Sequence, residues 1–366
     1  MRAVGWLVVL LGGLILCPFW LFPGVEPDEE AFPIRGLFGH NGLGDLFPED
    51  SAAVLCFLKH CRKDWCHSDD NQLSGVEFDV QLSRDGELIL HHDEKLAPGV
   101  LSNDQMQSLG DYKADQIAQF DIRSHFCHHN VSLSEPLNEI HRHLCQDGAP
   151  CASQLFISTL RQAILSLSDL NMPLQLAIEI KPTITNSSMA IEKIKELFRE
   201  FPELYKSAFV ISFVPQVLVE MKRQEPSIRT GWIILPTLLE SICKSGLLKE
   251  QSLWGQIALC DLPYVTSMVD FFLSYLQEFI APRLGLDFIC PHFSSLPGDP
   301  ISNAGIIAQE IRRWKSILSP SSRVHSVYFW GVSLDDLPAP WRKAYLEILS
   351  AEGVAFTTKT WPISTD

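Results

Sequence analysis

Three acids stand where acids are costly. In the run Val76-Glu77-Phe78-Asp79-Val80, Glu77 and Asp79 are two positions apart, so a β-strand puts both carboxylates on one face and Val76, Phe78 and Val80 on the other. Two carboxylates pressed into an apolar wall repel, and one is driven to a raised pKa unless a cation sits between them. A hard divalent ion with oxygen ligands resolves that conflict. Glu179, in the run LQLAIEIKP, repeats the pattern, with Lys181 two positions on and sharing its face; an ion pair between the two would also satisfy this acid. Histidines supply proton transfer. His40 ends LFGH and His92 ends ELILHHD, and an imidazole pKa near 6.5 lets one ring accept and another donate a proton near neutral pH. His91 and His92 are adjacent, so on a strand only one of them faces the site.

These residues need strands to hold them. Short apolar runs bounded by turn residues occur at 37–40, 75–82, 174–180, 209–213, 230–235, 286–291, 324–332 and 354–358. Amphipathic spacing predicts helices near 50–62, 188–201, 215–224, 237–250, 264–280, 303–317 and 339–352. Strands alternating with helices imply parallel pairing, and eight strands imply a closed (β/α)₈ TIM barrel, an α/β fold. The alternative, an open doubly wound sheet, lacks support: GHNGLGD is not followed at once by a helix as a phosphate-binding turn would be. Residues 37–366 carry no repeat or low-complexity break and read as one domain behind a short acidic stem, 26–36.

Composition narrows the partners. The chain has 366 residues with 46% apolar and 20% charged, which excludes a disordered chain, a collagen or a coiled coil. With 44 acids against 29 bases its formal charge is −15, a field that disfavours nucleic acid and suits divalent cations. Residues 3–25 contain no charge, long enough at about 1.5 Å per residue to cross a hydrocarbon core of about 30 Å. The expectation is an N-terminal transmembrane helix, residues 1–25, acting as a signal-anchor, with a cleaved signal peptide as the alternative. Arg2 before the span and Asp28, Glu29 and Glu30 after it match the positive-inside bias. A single-pass protein with a lumenal or extracellular domain follows, or a secreted one if the segment is cleaved. The cysteines agree with an oxidising compartment: Cys56, Cys61 and Cys66, with Cys127, Cys145 and Cys151, are the expected disulfide sites, against a zinc site from His60, Cys61, Cys66 and His67 or from Cys127, His128 and His129, whose spacings fit no standard module. Asn130 and Asn186 open glycosylation triplets. In 236–285, Phe271, Phe272, Leu273, Tyr275, Leu276 and Phe279 form either core packing or an acyl-binding or membrane-facing wall.

The ordered set GHNGLGDLFPEDSAAVL, GVEFDVQLSRDGELILHHDEKL, LSEPLNEI, LAIEIKP, VISF, VYFWGV and GVAFTTKTWP resembles the glycerophosphodiester phosphodiesterase family, whose members open on HRG, then PENT, E-x-D, DG and HD. The resemblance spans most of 37–362. It implies a TIM barrel with an insertion after the second strand, within residues 91–173. It further implies Ca²⁺ or Mg²⁺ on Glu77, Asp79 and Glu179, with His40 and His92 as acid and base. Lys181 matches the family's basic residue near the phosphate, and Trp330 a tryptophan placed to contact the alcohol moiety. The implied reaction is hydrolysis of a lipid-derived phosphodiester, a glycerophosphodiester or lysophospholipid, to an alcohol and a phosphomonoester. The alternatives are a non-catalytic barrel that binds a phospholipid head group or protein partner, and a sphingomyelinase D-like phospholipase. Three places depart from the family pattern. Asn41 replaces the phosphate-contacting Arg, which removes a bidentate cation. Asp50-Ser51 replaces Asn-Thr and is expected to cap the following helix. Lys359 follows Thr358 where the family has Asp, restoring some positive charge.

Overall fold

The computed structural model describes residues 34–60, 73–96, 107–120, 122–128, 155–168, 174–181, 186–234, 284–296, 298–317, 326–331 and 337–358, with isolated positions in 138–151, at 184 and in 277–281, and a few positions masked within these spans. Nine strands form one sheet: β1 Gly36–Gly39, β2 Leu73–Leu82, β3 Leu88–Leu90, β4 Gln175–Ile180, β5 Ala208–Ser212, β6 Thr230–Ile234, β7 Phe288–Pro291, β8 Ser326–Phe329 and β9 Ala355–Thr358. All but β3 are parallel, and they run β1-β2-β4-β5-β6-β7-β8-β9 and back to β1, which closes an eight-stranded parallel barrel. Closure leaves no open edge among the eight. The eight strands match the eight apolar runs of the sequence. The ninth, β3, is the strand expected in ELILHHD; it folds back antiparallel on β2 through a turn in which Gly86 has φ 81°. That conformation is open to glycine at no steric cost.

Helices cover the outside: α1 Ala53–His60, α2 Leu160–Ser168, α3 Ser187–Glu200, α4 Pro215–Gln224, α5 Pro300–Ile317 and α6 Ala339–Ala351. In α3 the apolar residues Ala190, Ile191, Ile194, Leu197 and Phe198 fall three or four apart and are buried, while Asn186 Oδ1 caps the first turn by accepting the Met189 N–H at 3.1 Å. α4 opens on Pro215, whose fixed φ suits a first helical turn.

The barrel interior is built in layers. Phe38 on β1 and Phe209 on β5 belong to opposite sides of the ring of strands, yet their centroids lie 5.6 Å apart; Tyr328 lies 5.2 Å from Phe38, and Phe288 lies 5.1 Å from Phe209. Side chains meeting across the lumen must all point inward. Gly75 and Gly231 make room for this layer, since a Cβ at either would collide with the Phe38 or Phe288 ring. Strand alternation then sends every second residue inward above it: Glu77 and Asp79, Glu179, Ile211, and Cys290.

After β3 the chain leaves the barrel until β4, the position expected for the insertion. Part of it packs a small separate core of Ile89, Leu96, Leu109, Ile117 and Ile157. One disulfide, Cys127–Cys145, closes a loop inside the insertion, and a second, Cys56–Cys151, ties it to α1. The cysteine clusters are thus disulfide sites, with one bridge running between them, and Cys127 is unavailable to zinc. Cys61 and Cys66 lie outside the described residues, as do the 1–25 segment, the helix expected at 237–250, most of that at 264–280, Asn130 and Lys359. Among the described residues no helix is long and apolar enough to cross a membrane.

Candidate active site

Register brings the acids together. Asp79 of β2 is paired directly with Glu179 of β4, although they are far apart in sequence. Glu77, one inward step deeper, completes a trio whose ligand oxygens all lie within 4.8 Å of one another, and each acid is at most 5% exposed. Lys181, one inward step above Glu179, inserts its ammonium between two of them, with Nζ 2.9 Å from Asp79 Oδ1 and 2.9 Å from Glu179 Oε1. The ion pair expected for Glu179 therefore exists, but inside the cluster and shared with Asp79.

One ammonium does not neutralise three carboxylates. Burial first, then repulsion from Asp79, raises the Glu179 pKa to about 8 even after Lys181 offsets part of the shift. Glu77 is raised well above its ordinary value by burial, then by Asp79 and Glu179, although a backbone N–H from Asn41 partly opposes this. Burial alone would lower the Lys181 pKa, but Glu179 and Asp79 outweigh it and hold the ammonium charged. Among the described residues, buried Glu77 Oε1 and Asp79 Oδ2 have no hydrogen-bond partner. Oxygen-only donors, convergent and short of positive charge, fit a hard divalent cation.

The loop 40–52 lies over this trio. His40, 18% exposed at its side chain, places Nε2 3.9 Å from Glu77 Oε2. Asn41 contributes its backbone: the N–H donates to Glu77 Oε2 at 2.8 Å, and the residue adopts φ 48°, a left-handed conformation that Asn tolerates better than most side chains. Asp50 does not cap α1 as expected. The helix begins at Ala53, two residues too far on, and Asp50 Oδ1 instead accepts the Asp79 N–H at 2.8 Å, pinning the loop to β2.

The two adjacent histidines separate as the strand geometry requires. His92 leaves β3 with its ring 44% exposed and Nδ1 2.7 Å from Asp93 Oδ1, while its carbonyl accepts from Gln81 Nε2 at 3.1 Å. Among the described residues the His92 ring makes no hydrogen bond or ion pair with the acid trio. His91 is the less exposed of the two, with its Nε2 buried, and burial lowers its pKa.

The opposite side of the mouth is aromatic. Phe213, His292 and Trp330 each follow the last residue of β5, β7 and β8, at the inward step above Ile211, Cys290 and Tyr328. Trp330 stands edge-on to Phe213 at 5.2 Å and to His292 at 4.6 Å. Among the described residues its buried Nε1 has no hydrogen-bond partner. Burial also lowers the His292 pKa, which keeps that ring neutral near pH 7. Phe213 and His292 were not singled out from the sequence, and Asp50 only as a helix cap. The repeats Phe209-Ile211-Phe213 and Phe288-Cys290-His292 carried the signal for the first two.

Comparison with known proteins agrees with this geometry. Residues 70–251 match the model of the "Glycerophosphoryl diester phosphodiesterase family". Glycerophosphodiester phosphodiesterase 1 of Bos taurus is 27% identical over 228 residues, 61% of this chain and 59% of the bovine protein. The Mus musculus protein of the same name is 25% identical over 294 residues, 78% of this chain and 76% of its own length. Among solved structures, a phosphodiesterase from Oleispira antarctica, in complex with its product sn-glycerol-3-phosphate, superposes with a TM-score of 0.51 at 16% identity, covering 88% of this chain and 93% of that one. That likeness establishes the fold.

Proposed function

Because the chain belongs to the glycerophosphodiester phosphodiesterase family, a family of phosphoric diester hydrolases, we propose that it hydrolyses the phosphodiester of a glycerophosphodiester or lysophospholipid to an alcohol and a phosphomonoester. The observation that carries the proposal is the buried trio of Glu77, Asp79 and Glu179 at the mouth of a parallel barrel, with Lys181 wedged between two of its members. These three carboxylates would hold Ca²⁺ or Mg²⁺, which supplies Lewis-acid stabilisation of charge on the phosphoryl oxygens when bound.

The chain's own residues do the rest. His40 lies next to Glu77, with Nε2 3.9 Å from Oε2, and is the first proton-transfer group. His92, held by Asp93 just past the end of β3, is the second proton-transfer group in this reading. Lys181 fixes the separation of Asp79 and Glu179 and keeps a positive charge where the diester anion docks. Asn41 positions Glu77 through its N–H, and Trp330 with Phe213 offers an apolar wall for the alcohol.

Assay against glycerophosphocholine, glycerophosphoinositol and lysophospholipids, with and without EDTA, tests this. EDTA should abolish turnover and Glu77→Ala should be inactive. Metal-independent turnover, or equal turnover in Glu77→Ala, removes the site. A metal-dependent rise in melting temperature without hydrolysis of any diester would favour the non-catalytic barrel, for which the neutral Asn41 is the supporting feature.

The N-terminal apolar segment is proposed as the membrane anchor of a lumenal or extracellular domain. The Cys56–Cys151 and Cys127–Cys145 bridges support an oxidising compartment. Extraction of the full chain at high pH tests it: release into the soluble fraction would contradict an uncleaved anchor.

A further inference from the structure

Four carboxylates converge on this end of the barrel, and the trio accounts for three. Asp50 is 1% exposed; its Oδ1 is used by the Asp79 N–H, but Oδ2 is buried with no hydrogen-bond partner. Asp50 does not belong to the group whose oxygens lie within 4.8 Å of one another. Asn41 adjoins it, since the Asp50 N–H donates to the Asn41 carbonyl at 2.9 Å while the Asn41 N–H reaches Glu77. The Asn41 side-chain oxygen and the Ser51 hydroxyl are likewise buried and unpartnered, in residues 2% and 0% exposed. The rim of the site therefore holds a second set of oxygens: Asn41 and Asp50 are each tied to a member of the trio through a backbone N–H, Ser51 follows Asp50 in the chain, and none of the three oxygens has a donor among the described residues. An unsatisfied buried oxygen is destabilising, and native folds provide such groups with a partner.

Charge points the same way. Among the described residues, Asp50, Glu77, Asp79 and Glu179 have one ammonium beside them, that of Lys181. One divalent ion in the trio leaves the pocket with a net negative charge, which repels a phosphodiester anion; a second divalent ion reverses the sign. Paired ions are an established arrangement for clamping phosphoryl oxygens.

We propose that Asn41 Oδ1, Asp50 Oδ2 and Ser51 Oγ form a second site for a hard divalent cation, Mg²⁺ or Ca²⁺, beside the first, with Asp79 or Glu77 offering its remaining oxygen to both. The proposal rests on the trio holding the first ion. It gives this chain, through a metal, the positive charge that a guanidinium at position 41 would have brought.

Metal counting tests it without reference to turnover. Chelator-stripped full-length chain is titrated with Mg²⁺ and with Ca²⁺, and bound ions are counted by native mass spectrometry and calorimetry. The expected result is two ions per chain in the wild type and one in Asp50→Asn, an isosteric change that leaves an oxygen for the Asp79 N–H. Asn41→Asp, which adds charge at a position where φ 48° is tolerated by Asp, should tighten the weaker ion by about tenfold. A wild type that binds one ion, or two that persist in Asp50→Asn, overturns the second site and leaves the first standing. A wild type that binds none overturns both. Should Asp50→Asn fail to fold, Ser51→Ala and Asn41→Asp carry the test through the affinity of the second ion.

Discussion

The mouth of the barrel is divided, and its two sides solve different problems. On the side of β1, β2 and β4, buried carboxylates are crowded around one ammonium, an arrangement that opposes folding until a cation joins it. On the side of β5, β7 and β8, aromatic rings meet edge to edge and are stable without any ligand. The same structural device, every second residue of a strand pointing inward, produced both. The contrast teaches that the acid side stores binding potential for a metal, whereas the aromatic side stores shape for a substituent. Changes on the first should therefore couple to metal and pH, and changes on the second to neither.

The largest expected effect is at Lys181. Lys181→Met removes the one positive charge between Asp79 and Glu179 and should destabilise the metal-stripped chain by about 3–5 kcal/mol in denaturant unfolding, with saturating Mg²⁺ restoring most of it. Equal loss with and without metal would show that the ammonium acts by packing alone. Glu77→Gln comes next: it should reduce diester hydrolysis by about 10²–10³-fold while raising the melting temperature of the metal-free chain, because a buried acid is exchanged for a neutral amide.

A pH titration of the metal-free chain sharpens the contrast further. Glu179 titrates at about 8 when folded against an ordinary 4.5, so the folded chain holds the proton more tightly. The stability carried by that proton is complete below pH 4.5 and is lost as pH rises through 8, at up to about 1.4 kcal/mol per pH unit. The melting temperature should fall from pH 5 to pH 9 without metal and stay nearly level with it. A fall of the same size in both conditions would detach the trio from metal binding. The smallest effect is on the aromatic side. Trp330→Phe keeps the ring but deletes Nε1, so KM should rise about tenfold or less while the metal-linked rise in melting temperature is unchanged. A change in metal affinity there would erase the distinction between the two sides.

Much of this was legible before any coordinates. Apolar runs of strand length, separated by amphipathic stretches, fix an alternating α/β chain because side-chain period is a local property of the backbone. Glu77 with Asp79, and Glu179 with Lys181, were recognisable as same-face pairs for that reason. Asp50 was misread as a helix cap, because whether its carboxylate meets a helix terminus or the Asp79 N–H depends on how the loop 40–52 folds back, and no periodicity records that. The fate of His91 and His92 was half-readable: alternation required them to part, but not which would be buried.

The sequence by itself determined which residues face the same way along each strand, since that follows from covalent geometry over two or three residues. Only the tertiary structure decided that Asp79 stands in register with Glu179, that Lys181 bridges them, and that Phe213 meets Trp330 across the mouth. Those are consequences of barrel closure, in which the pairing of each strand is set by all the others and by the loops that deliver them.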